Sequence, residues 1–289
     1  MADVAPPWLR RAFGVAGRLS PRLAALAADE LLTRPRGRNP PQPWELEPSV
    51  PVPEALRLPG GLHALAWGDT GPVVLAAHGW RGRPTQFRRL AEALVPAGLR
   101  LVALDAPGHG LSPGRRATPR LVADALLEAA GSLGEIRAVV GHSLGGAAAA
   151  IALEFGLQAG RLVLLGAPSR PSLMISGFAD RIGLPPRARA ALDARFDAHA
   201  GRPVGQLDIL SITLPAGVAA LVVHDRDDEV IPVAEAQLLE AAWPEAQFLY
   251  TAGLGHRDAL ADAAVVRVVT GFILDRHDDE SPRSSPSGP

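Results

Sequence analysis

The fold is indicated most clearly by AVVGHSLGGAAAA, at residues 138–150. Its first three residues are all apolar, which is typical of a strand buried on both faces of a parallel sheet. Its alanines from Ala147 onward predict a helix soon after that strand. Ser143 lies between the two, and Gly141 and Gly145 on either side of it relieve the crowding of a sharp strand-to-helix turn. We therefore interpret Ser143 as a nucleophile exposed on such a turn.

Short apolar runs and longer helical patterns alternate on both sides of this turn. Before it, the runs at 56–58 and 63–67 are separated by a Pro-Gly-Gly sequence and predict a hairpin. The further runs that predict buried strands lie at 73–77, 101–104, 138–140, 162–165, 220–223 and 248–250. The predicted helices lie at about 84–97, 118–132, 144–157, 233–242 and 257–274. This alternation predicts an α/β fold with a mainly parallel, doubly wound sheet and right-handed crossovers.

Three segments differ in pattern from the rest of this core, which we assign to residues 54–276. Residues 1–53 predict an N-terminal arm of one or two amphipathic helices, followed by a proline-rich stretch that cannot join a sheet interior. Residues at about 170–215 separate two strands and have a helical pattern, so we expect an insertion that forms a cap. Residues 277–289 are rich in Ser and Pro and predict a disordered tail.

The composition excludes several classes of protein. The 289 residues carry a net charge of −1 and contain no cysteine, and all 29 basic side chains are arginine. The lack of cysteine excludes disulfides, thiol nucleophiles and zinc–thiolate sites. The lack of lysine excludes Schiff-base chemistry and a Walker-type phosphate loop. A near-zero net charge offers no overall attraction to nucleic acid or to anionic membranes, so we expect no nucleic-acid partner.

The apolar residues also indicate where in the cell the protein is expected. No apolar run reaches the roughly 18 residues that a spanning helix needs, so we expect no stable membrane insertion. The first seven residues lack the basic segment and apolar run of a secretory signal, and we expect a cytoplasmic location. The sequence does not indicate an oligomeric state.

A serine hydroxyl becomes a useful nucleophile only beside a base, and the base needs an orienting acid. In a doubly wound sheet, ligands bind beyond the carboxyl ends of the strands, so both residues should follow apolar runs. His256 lies in the loop after the run at 248–250, where two glycines let the loop turn inward. We expect His256 to be the base.

Several carboxylates follow the run at 220–223 and compete for the role of the acid; they are Asp225, Asp227, Asp228 and Glu229. Asp228 is the last aspartate before the chain turns apolar, and we favour it, with Asp227 as the second choice. The other carboxylates are interpreted as a solvated acidic turn with Arg226 as counter-charge. A metal site at His224, Asp225 and Asp227 is an alternative, but no second histidine cluster supports it, and we expect no metal.

Acyl transfer needs two backbone N–H groups aimed at the oxygen that becomes negative in the tetrahedral intermediate. One is expected from Leu144, the residue after the nucleophile, and the other from the loop after an early strand. That loop begins at His78, and we assign its N–H donor to Trp80, whose indole would form part of the pocket wall. His78 is expected to shape the loop by a local hydrogen bond rather than to act as the base.

In combination these residues resemble the α/β-hydrolase superfamily, which includes serine esterases, lipases and thioesterases. The resemblance covers about residues 55–275 and rests on the segments His78-Gly79-Trp80, Asp105–Ser112, Gly141–Gly146, Asp228–Pro232 and Gly255-His256. It implies a mainly parallel eight-stranded sheet, a helical cap over the site, no cofactor, and a structural turn at Asp105–Ser112. A serine at position 143 argues against haloalkane dehalogenases and epoxide hydrolases, which use an aspartate there. The arm at residues 1–53 matches nothing general in the superfamily.

The predicted reaction is hydrolysis of a carboxylic ester or thioester, a small-molecule acyl substrate, through an acyl-enzyme. Ser143 is the nucleophile, His256 the base and Asp228 the acid. The same triad supports acyl transfer to an alcohol or amine, and cofactor-free perhydrolase or carbon–carbon hydrolase chemistry. A catalytically silent binding protein is a further alternative, which the complete triad disfavours.

The insertion at 170–215 bears on the substrate. Its apolar residues indicate an acyl pocket; they are Leu173, Met174, Ile175, Phe178, Ile182 and Leu184. Its arginines would suit an anionic leaving group such as a coenzyme A phosphate, although ordinary surface charge is the simpler interpretation; they are Arg170, Arg181, Arg187, Arg189, Arg195 and Arg202.

Overall fold

The computed structural model describes residues 5–48 and 51–274, and its centre is one eight-stranded sheet. The strands are β1 Glu54–Arg57, β2 His63–Trp67, β3 Val73–Ala77, β4 Arg100–Leu104, β5 Ile136–His142, β6 Arg161–Leu165, β7 Ala219–Asp225 and β8 Gln247–Thr251. Their spatial order is β1-β2-β4-β3-β5-β6-β7-β8. The β1–β2 and β2–β4 pairs are antiparallel and the others are parallel. The hairpin and the mainly parallel sheet predicted from the sequence are both confirmed.

Helices cover both faces of this sheet. The described helices, including those that do not touch the sheet, are α1 Pro7–Leu19, α2 Pro21–Thr33, α3 Arg88–Leu94, α4 Pro119–Leu133, α5 Leu144–Glu154, α6 Pro171–Arg181, α7 Pro186–Ala200, α8 Ala234–Ala242, α9 Gly255–Asp258 and α10 Ala263–Leu274. Alternate residues of β3 point to opposite faces, so that Leu75 packs with α4, α5 and α8 while Val74 packs with α3 and α10. The continuous apolar runs in the sequence are explained by this burial on both faces.

Three predicted helices are shorter in the structure than the sequence pattern indicated. The helix expected at 84–97 begins as a single 3-10 turn and continues as α3 to Leu94, before another single turn that contains Pro96. A proline there has no N–H to continue the α-helical hydrogen-bond pattern. The helix expected at 144–157 ends at Glu154, and Gly156 follows with a left-handed φ of 101°. The helix expected at 257–274 is divided into α9 and α10.

The turn from β5 to α5 has a strained backbone at Ser143, where φ is 55° and ψ is −121°. A positive φ is costly for a residue with a side chain. Neighbouring glycines make room for this turn. A Cβ atom built on Gly141 would lie 2.3 Å from the Gly145 carbonyl oxygen, and one built on Gly145 would lie 2.1 Å from the Ala77 carbonyl oxygen. Helix α5 therefore begins in backbone contact with the ends of β3 and β5.

The arm and the predicted cap insertion pack against each other. An apolar cluster joins Phe13 and Ala28 of the arm to Ile175, Leu192 and Phe196 of α6 and α7. Helix α2 also carries a fully buried carboxylate, Asp29, which accepts hydrogen bonds from Arg195 at 2.6 and 2.9 Å and from Arg116 at 3.1 Å. Because a buried carboxylate is stable only when paired, these arginines fix α2 against α7 and the segment after β4.

None of the described helices is long and apolar enough to cross a membrane. The tail predicted at 277–289 lies outside the described residues.

Filling the space at the start of α5 should destabilise the protein. We expect Gly141→Ala to lower the free energy of unfolding by at least about 2 kcal/mol, because the new methyl group meets backbone atoms that cannot move aside. The matched control is Gly131→Ala in α4, where an added Cβ meets nothing within 4 Å and helix propensity should raise stability by about 0.5–1 kcal/mol. Urea unfolding measures both changes, and equal stability of Gly141→Ala and the wild type would contradict the close approach.

Candidate active site

A cavity of about 640 Å³ lies at the carboxyl ends of the parallel strands. Four of the residues predicted for the site line it: Trp80, Ser143, Leu144 and His256. Asp228 lies behind His256 and is buried. The structure thus brings together five residues that are up to 176 positions apart in the sequence, from Trp80 to His256.

Asp228 and His256 form a close pair. His256 Nδ1 lies 2.7 Å from Asp228 Oδ2, while Asp228 Oδ1 accepts hydrogen bonds from the N–H groups of Val230 (2.8 Å) and Ile231 (2.9 Å). Burial alone would raise the pKa of Asp228, but the His256 hydrogen bond and charge and the two N–H groups outweigh it, so this pKa lies below its usual range. The carboxylate therefore stays ionised and holds Nδ1 as the protonated nitrogen of the His256 ring.

Gly166 lies directly against the Asp228–His256 pair, and the sequence patterns did not indicate it. Its φ is 53°, and a Cβ built there would lie 3.3 Å from Asp228 Oδ2 and 3.4 Å from His256 Nδ1. Any side chain at this position would crowd the hydrogen bond between them. The sequence signal was a glycine directly after a strand, the same signal that marks the turn at Ser143.

The other carboxylates on the acidic turn hold the loop that carries His256. Asp225 accepts hydrogen bonds from the Thr251 hydroxyl at 2.7 Å and from the N–H groups of Leu254 (3.1 Å) and Gly255 (3.0 Å). Asp227 accepts the Gly253 N–H at 2.7 Å. Asp225 is buried on this loop, which corrects its interpretation as part of a solvated turn, whereas Asp227 is exposed, as that interpretation expects. Their separate partners explain why three aspartates occur so close together, with Asp228 alone reaching His256.

His78 fixes the loop that follows β3. Its Nε2 accepts the Ala106 N–H at 3.1 Å, so the proton lies on Nδ1 and is donated to the Gly79 carbonyl oxygen at 2.8 Å. Burial lowers the pKa of His78 to about 4 and keeps the ring neutral. Since a trans peptide directs its C=O and N–H to opposite sides, the Trp80 N–H points away from His78. This local hydrogen bond is the role that the sequence analysis gave to His78.

Neither the Trp80 N–H nor the Leu144 N–H donates a hydrogen bond to another group within the described residues. Helix α5 begins at Leu144, so its N–H is among the first of a helix, which have no partner inside the helix. The two loops also touch, because a Cβ built on Gly79 would lie 2.8 Å from the Ser143 Cβ. Two N–H donors are therefore available beside the Ser143 side chain.

His142 links the turn at Ser143 to the loop of His256. Its ring nitrogen Nε2 lies 2.8 Å from the His256 carbonyl oxygen and donates to it. Burial and the neighbouring His256 lower the pKa of His142 to about 3, so the ring is neutral and Nδ1, which has no partner, carries no proton. The sequence pattern indicates His142 only as part of the turn at Ser143.

The arm contributes contacts to both loops, which no sequence signal indicated. Asn39 donates its side-chain N–H to the Trp80 carbonyl at 3.0 Å and its backbone N–H to the Arg81 carbonyl at 2.9 Å. Arg81 has a positive φ of 56°, and its N–H is held by His109 Nε2 at 3.0 Å. These hydrogen bonds compensate the strained conformation of Arg81 from two sides.

On the opposite side of the cavity, the arm contacts the residues that follow His256. Arg257 donates to the Pro40 carbonyl oxygen at 3.1 Å, and the Trp44 indole donates to Asp258 at 3.4 Å. The proline-rich stretch, which has no regular partner strand, therefore runs between the Trp80 loop and the His256 loop and fixes each by hydrogen bonds.

The walls of the cavity are mainly apolar and come from the arm, the predicted cap insertion and α5; they include Leu31, Leu32, Leu144, Met174, Ile175, Phe178, Phe196 and Leu207. Most arginines of the insertion are already paired with carboxylates: Arg170 with Glu235, Arg189 with Asp180, Arg195 with Asp29, and Arg202 with Glu154. Of the six arginines of the insertion, Arg181 is the one that lines the cavity, and it is not among these four pairs. This pairing favours the interpretation of these arginines as ordinary surface charge over contacts with an anionic leaving group.

Because His78 and His142 are buried and neutral, we expect the free energy of unfolding to depend on pH. An unfolded histidine has a pKa of about 6.5, so below that pH the unfolded chain binds more protons than the folded chain, in which His78 and His142 stay neutral. We expect the free energy of unfolding to fall by about 2–3 kcal/mol between about pH 7.5 and about pH 5.5.

Urea titrations at the two pH values measure this loss. His142→Gln keeps a donor for the His256 carbonyl but does not titrate, so it should reduce the difference by about half. Equal stability at both pH values in the wild type would contradict the neutral state of these rings.

The chain is similar in sequence to known proteins. Residues 73–284, more than half of the chain, match the Alpha/beta hydrolase family. A Monoacylglycerol lipase from Mycolicibacterium smegmatis is 29% identical over 214 residues, which is 59% of this chain and 76% of that protein. A Serine hydrolase-like protein from Danio rerio is 38% identical over 93 residues, 30% of this chain and 28% of that protein. The chain therefore matches little more than a quarter of the Danio rerio protein's length.

Solved structures show the same fold at low sequence identity. Alpha/beta hydrolase domain-containing protein 10 from mouse has a TM-score of 0.59 at 15% identity, covering 78% of this chain and 98% of that one. A thermophilic esterase from Thermogutta terrifontis has a TM-score of 0.57 at 19% identity, covering 78% and 99%. The thioesterase domain from the curacin biosynthetic pathway has a TM-score of 0.55 at 18% identity, covering 77% and 98%. The resemblance drawn from the sequence motifs is confirmed by these matches, and the chain belongs to the alpha/beta hydrolase family.

Proposed function

We propose that this chain is a serine hydrolase that cleaves a carboxylic ester or thioester through an acyl-enzyme on Ser143. The observation that carries the proposal is the Asp228–His256 hydrogen bond of 2.7 Å, beside a strained serine in the same apolar cavity. A serine on a sharp turn, a histidine and an orienting carboxylate are the parts that nucleophilic acyl transfer requires.

The reaction begins when the Ser143 hydroxyl attacks the substrate carbonyl. Because His256 Nδ1–H donates to Asp228, the other ring nitrogen is unprotonated and accepts the Ser143 proton. Asp228 stays ionised and stabilises the imidazolium that forms. The imidazolium then gives the proton to the leaving alcohol or thiol, and the acyl group remains on Ser143.

The oxyanion of each tetrahedral intermediate would be stabilised by the N–H groups of Trp80 and Leu144. Both donors lie on rigid backbone before substrate arrives, since His78 orients the Gly79–Trp80 peptide and α5 begins at Leu144. Preorganised donors of this kind lower the barrier because they need no reorientation during the reaction. Water, activated by His256, then attacks the acyl-enzyme and regenerates Ser143.

The cavity supports an apolar acyl group as the substrate part bound beside Ser143. Its volume of about 640 Å³ is within the usual range of small-molecule sites, and its walls are mainly Leu, Met, Ile and Phe side chains. The relative from Mycolicibacterium smegmatis is named a Monoacylglycerol lipase, and one structural neighbour is named a thioesterase. Both names are consistent with an acyl ester or thioester as substrate.

The first test is removal of the nucleophile. Ser143→Ala should abolish hydrolysis of p-nitrophenyl esters and labelling by a fluorophosphonate probe, because no other group can form the acyl-enzyme. The far-ultraviolet circular dichroism spectrum should be unchanged, since Ser143 is small and its turn is set by glycines. Full esterase activity in this variant would disprove the assignment.

The second test compares neighbouring aspartates. Asp228→Asn should lower kcat by about 10³–10⁴-fold, because an amide in place of the carboxylate lets His256 adopt the wrong tautomer. Asp227→Asn is the matched control, since its oxygen can still accept the Gly253 N–H, and it should change kcat by no more than about threefold. Comparable losses in the two variants would show that Asp228 is not the orienting acid.

A further inference from the structure

The outward-facing side of α1 and α2 exposes an apolar stripe. On α1 the inward side chains include Phe13, while Trp8 and Leu19 on the opposite side are 68% and 82% exposed. On α2, Leu23 is 66% exposed. We call the set of exposed large apolar residues on these two helices the outer face; it consists of Trp8, Val15, Leu19, Leu23 and Leu26.

This concentration of apolar surface is local. Five of the fifteen large apolar side chains that are exposed in the described part of the chain lie on the outer face, on two helices of 13 residues each. Single exposed apolar residues need no explanation, but contiguous patches mark sites of interaction.

The charges beside the outer face are of one sign. Arg10, Arg11, Arg18 and Arg22 are exposed, and none of them forms an ion pair within the part of the chain that the structure describes. The sequence contains no Asp or Glu from residue 4 to residue 28. The whole chain has a net charge of −1, but the segment at 4–28 carries four positive charges and no negative charge.

We propose that the outer face docks this protein on the surface of an anionic lipid bilayer. A helix with Trp and Leu on one side and arginines next to them is suited to lie in the plane of the interface, where the apolar side chains enter the headgroup boundary. The arginines remain among the headgroups, where the negative potential of anionic lipids attracts them. The protein lies on the membrane and does not cross it.

A second copy of the chain fits this face poorly. A two-fold interface brings the same surface patch of each copy together, so the arginines of one copy would face those of the other. Interface cores are depleted in charge, and like charges brought together oppose association. A negatively charged lipid surface supplies the counter-charge that the outer face itself lacks.

Helix α2 carries part of the outer face and part of the cavity wall. It exposes Leu23 and Leu26 on its first turns, and Leu31 and Leu32 near its end line the cavity. If the proposed function holds, an acyl substrate dissolved in the bilayer would lie close to a helix that lines the cavity. The docking itself does not depend on that reaction and is tested without it.

The experiment is co-sedimentation of the full chain with vesicles at low salt. Ser143→Ala is used as the background for every sample, so that hydrolysis of lipid cannot alter the vesicles. We expect binding to vesicles of phosphatidylcholine with about one-quarter phosphatidylglycerol, weak binding to pure phosphatidylcholine, and loss of binding as salt rises. Trp8→Gln with Leu19→Gln, and separately Arg11→Gln with Arg18→Gln, should each weaken binding by roughly tenfold or more.

Matched controls change equally exposed residues elsewhere. Val52→Gln with Leu111→Gln removes two exposed apolar side chains, and Arg115→Gln with Arg267→Gln removes two exposed arginines. Both should bind vesicles as the Ser143→Ala protein does. All these side chains are at the surface, so the unfolding midpoint should change little in every variant.

Three results would overturn the proposal. One is a protein that stays in the supernatant with anionic vesicles. Another is equal binding by the outer-face variants and their controls. The third is a dimer in sedimentation velocity that the Trp8 and Leu19 substitutions dissociate, without vesicle binding, which would make the outer face a contact between copies. Failure of Ser143→Ala to abolish esterase activity would disprove the proposed reaction and leave the docking result standing.

Discussion

The backbone at the start of α5 lies so close to the ends of β3 and β5 that no side chain fits between them, and the site depends on this contact. Gly141, Gly145 and Gly79 all approach other backbone or Ser143 within distances that a Cβ atom would not allow. The close approach forces Ser143 into a positive φ, which the hydrogen bond from its N–H to the Leu165 carbonyl (2.9 Å) helps to maintain. It also brings the Trp80 loop and the first N–H of α5 to the same side of the serine.

Buried histidines then fix the directions of the backbone around this contact. His78, His109 and His142 all have lowered pKa values, mainly because burial disfavours the charged ring. A neutral imidazole has one donor and one acceptor, so each ring can join two specified backbone groups in a fixed order. His78 and His109 do this for the loop after β3, and His142 ties the serine turn to the His256 carbonyl. Unlike these three rings, His256 is hydrogen-bonded to a carboxylate and is open to the cavity.

The arm adds loop contacts and a part of the cavity wall to the hydrolase core. Through Asn39, Pro40 and Trp44 it joins the two loops on either side of the cavity, and through Leu31 and Leu32 it forms part of the cavity wall. Asp29 anchors it by two arginines that belong to different parts of the chain, one after β4 and one on α7. Helix α2 therefore lines the cavity with Leu31 and Leu32 and exposes Leu23 and Leu26 to solvent.

The sheet, the turn at Ser143 and the candidate site residues could be predicted from the sequence, because these follow from local rules. A strand buried on both faces must be apolar throughout, a tight turn needs glycine, and polar side chains that follow strands must meet at one edge of a parallel sheet. The sequence favours Asp228 by its place before an apolar segment, but the contact of one aspartate with His256 is visible only in the folded chain. There Asp225 and Asp227 accept N–H groups of the loop, and Asp228 lies against the His256 ring. The place of the arm was likewise decided by contacts between residues far apart in sequence, as between Asn39 and Trp80, for which no local pattern exists.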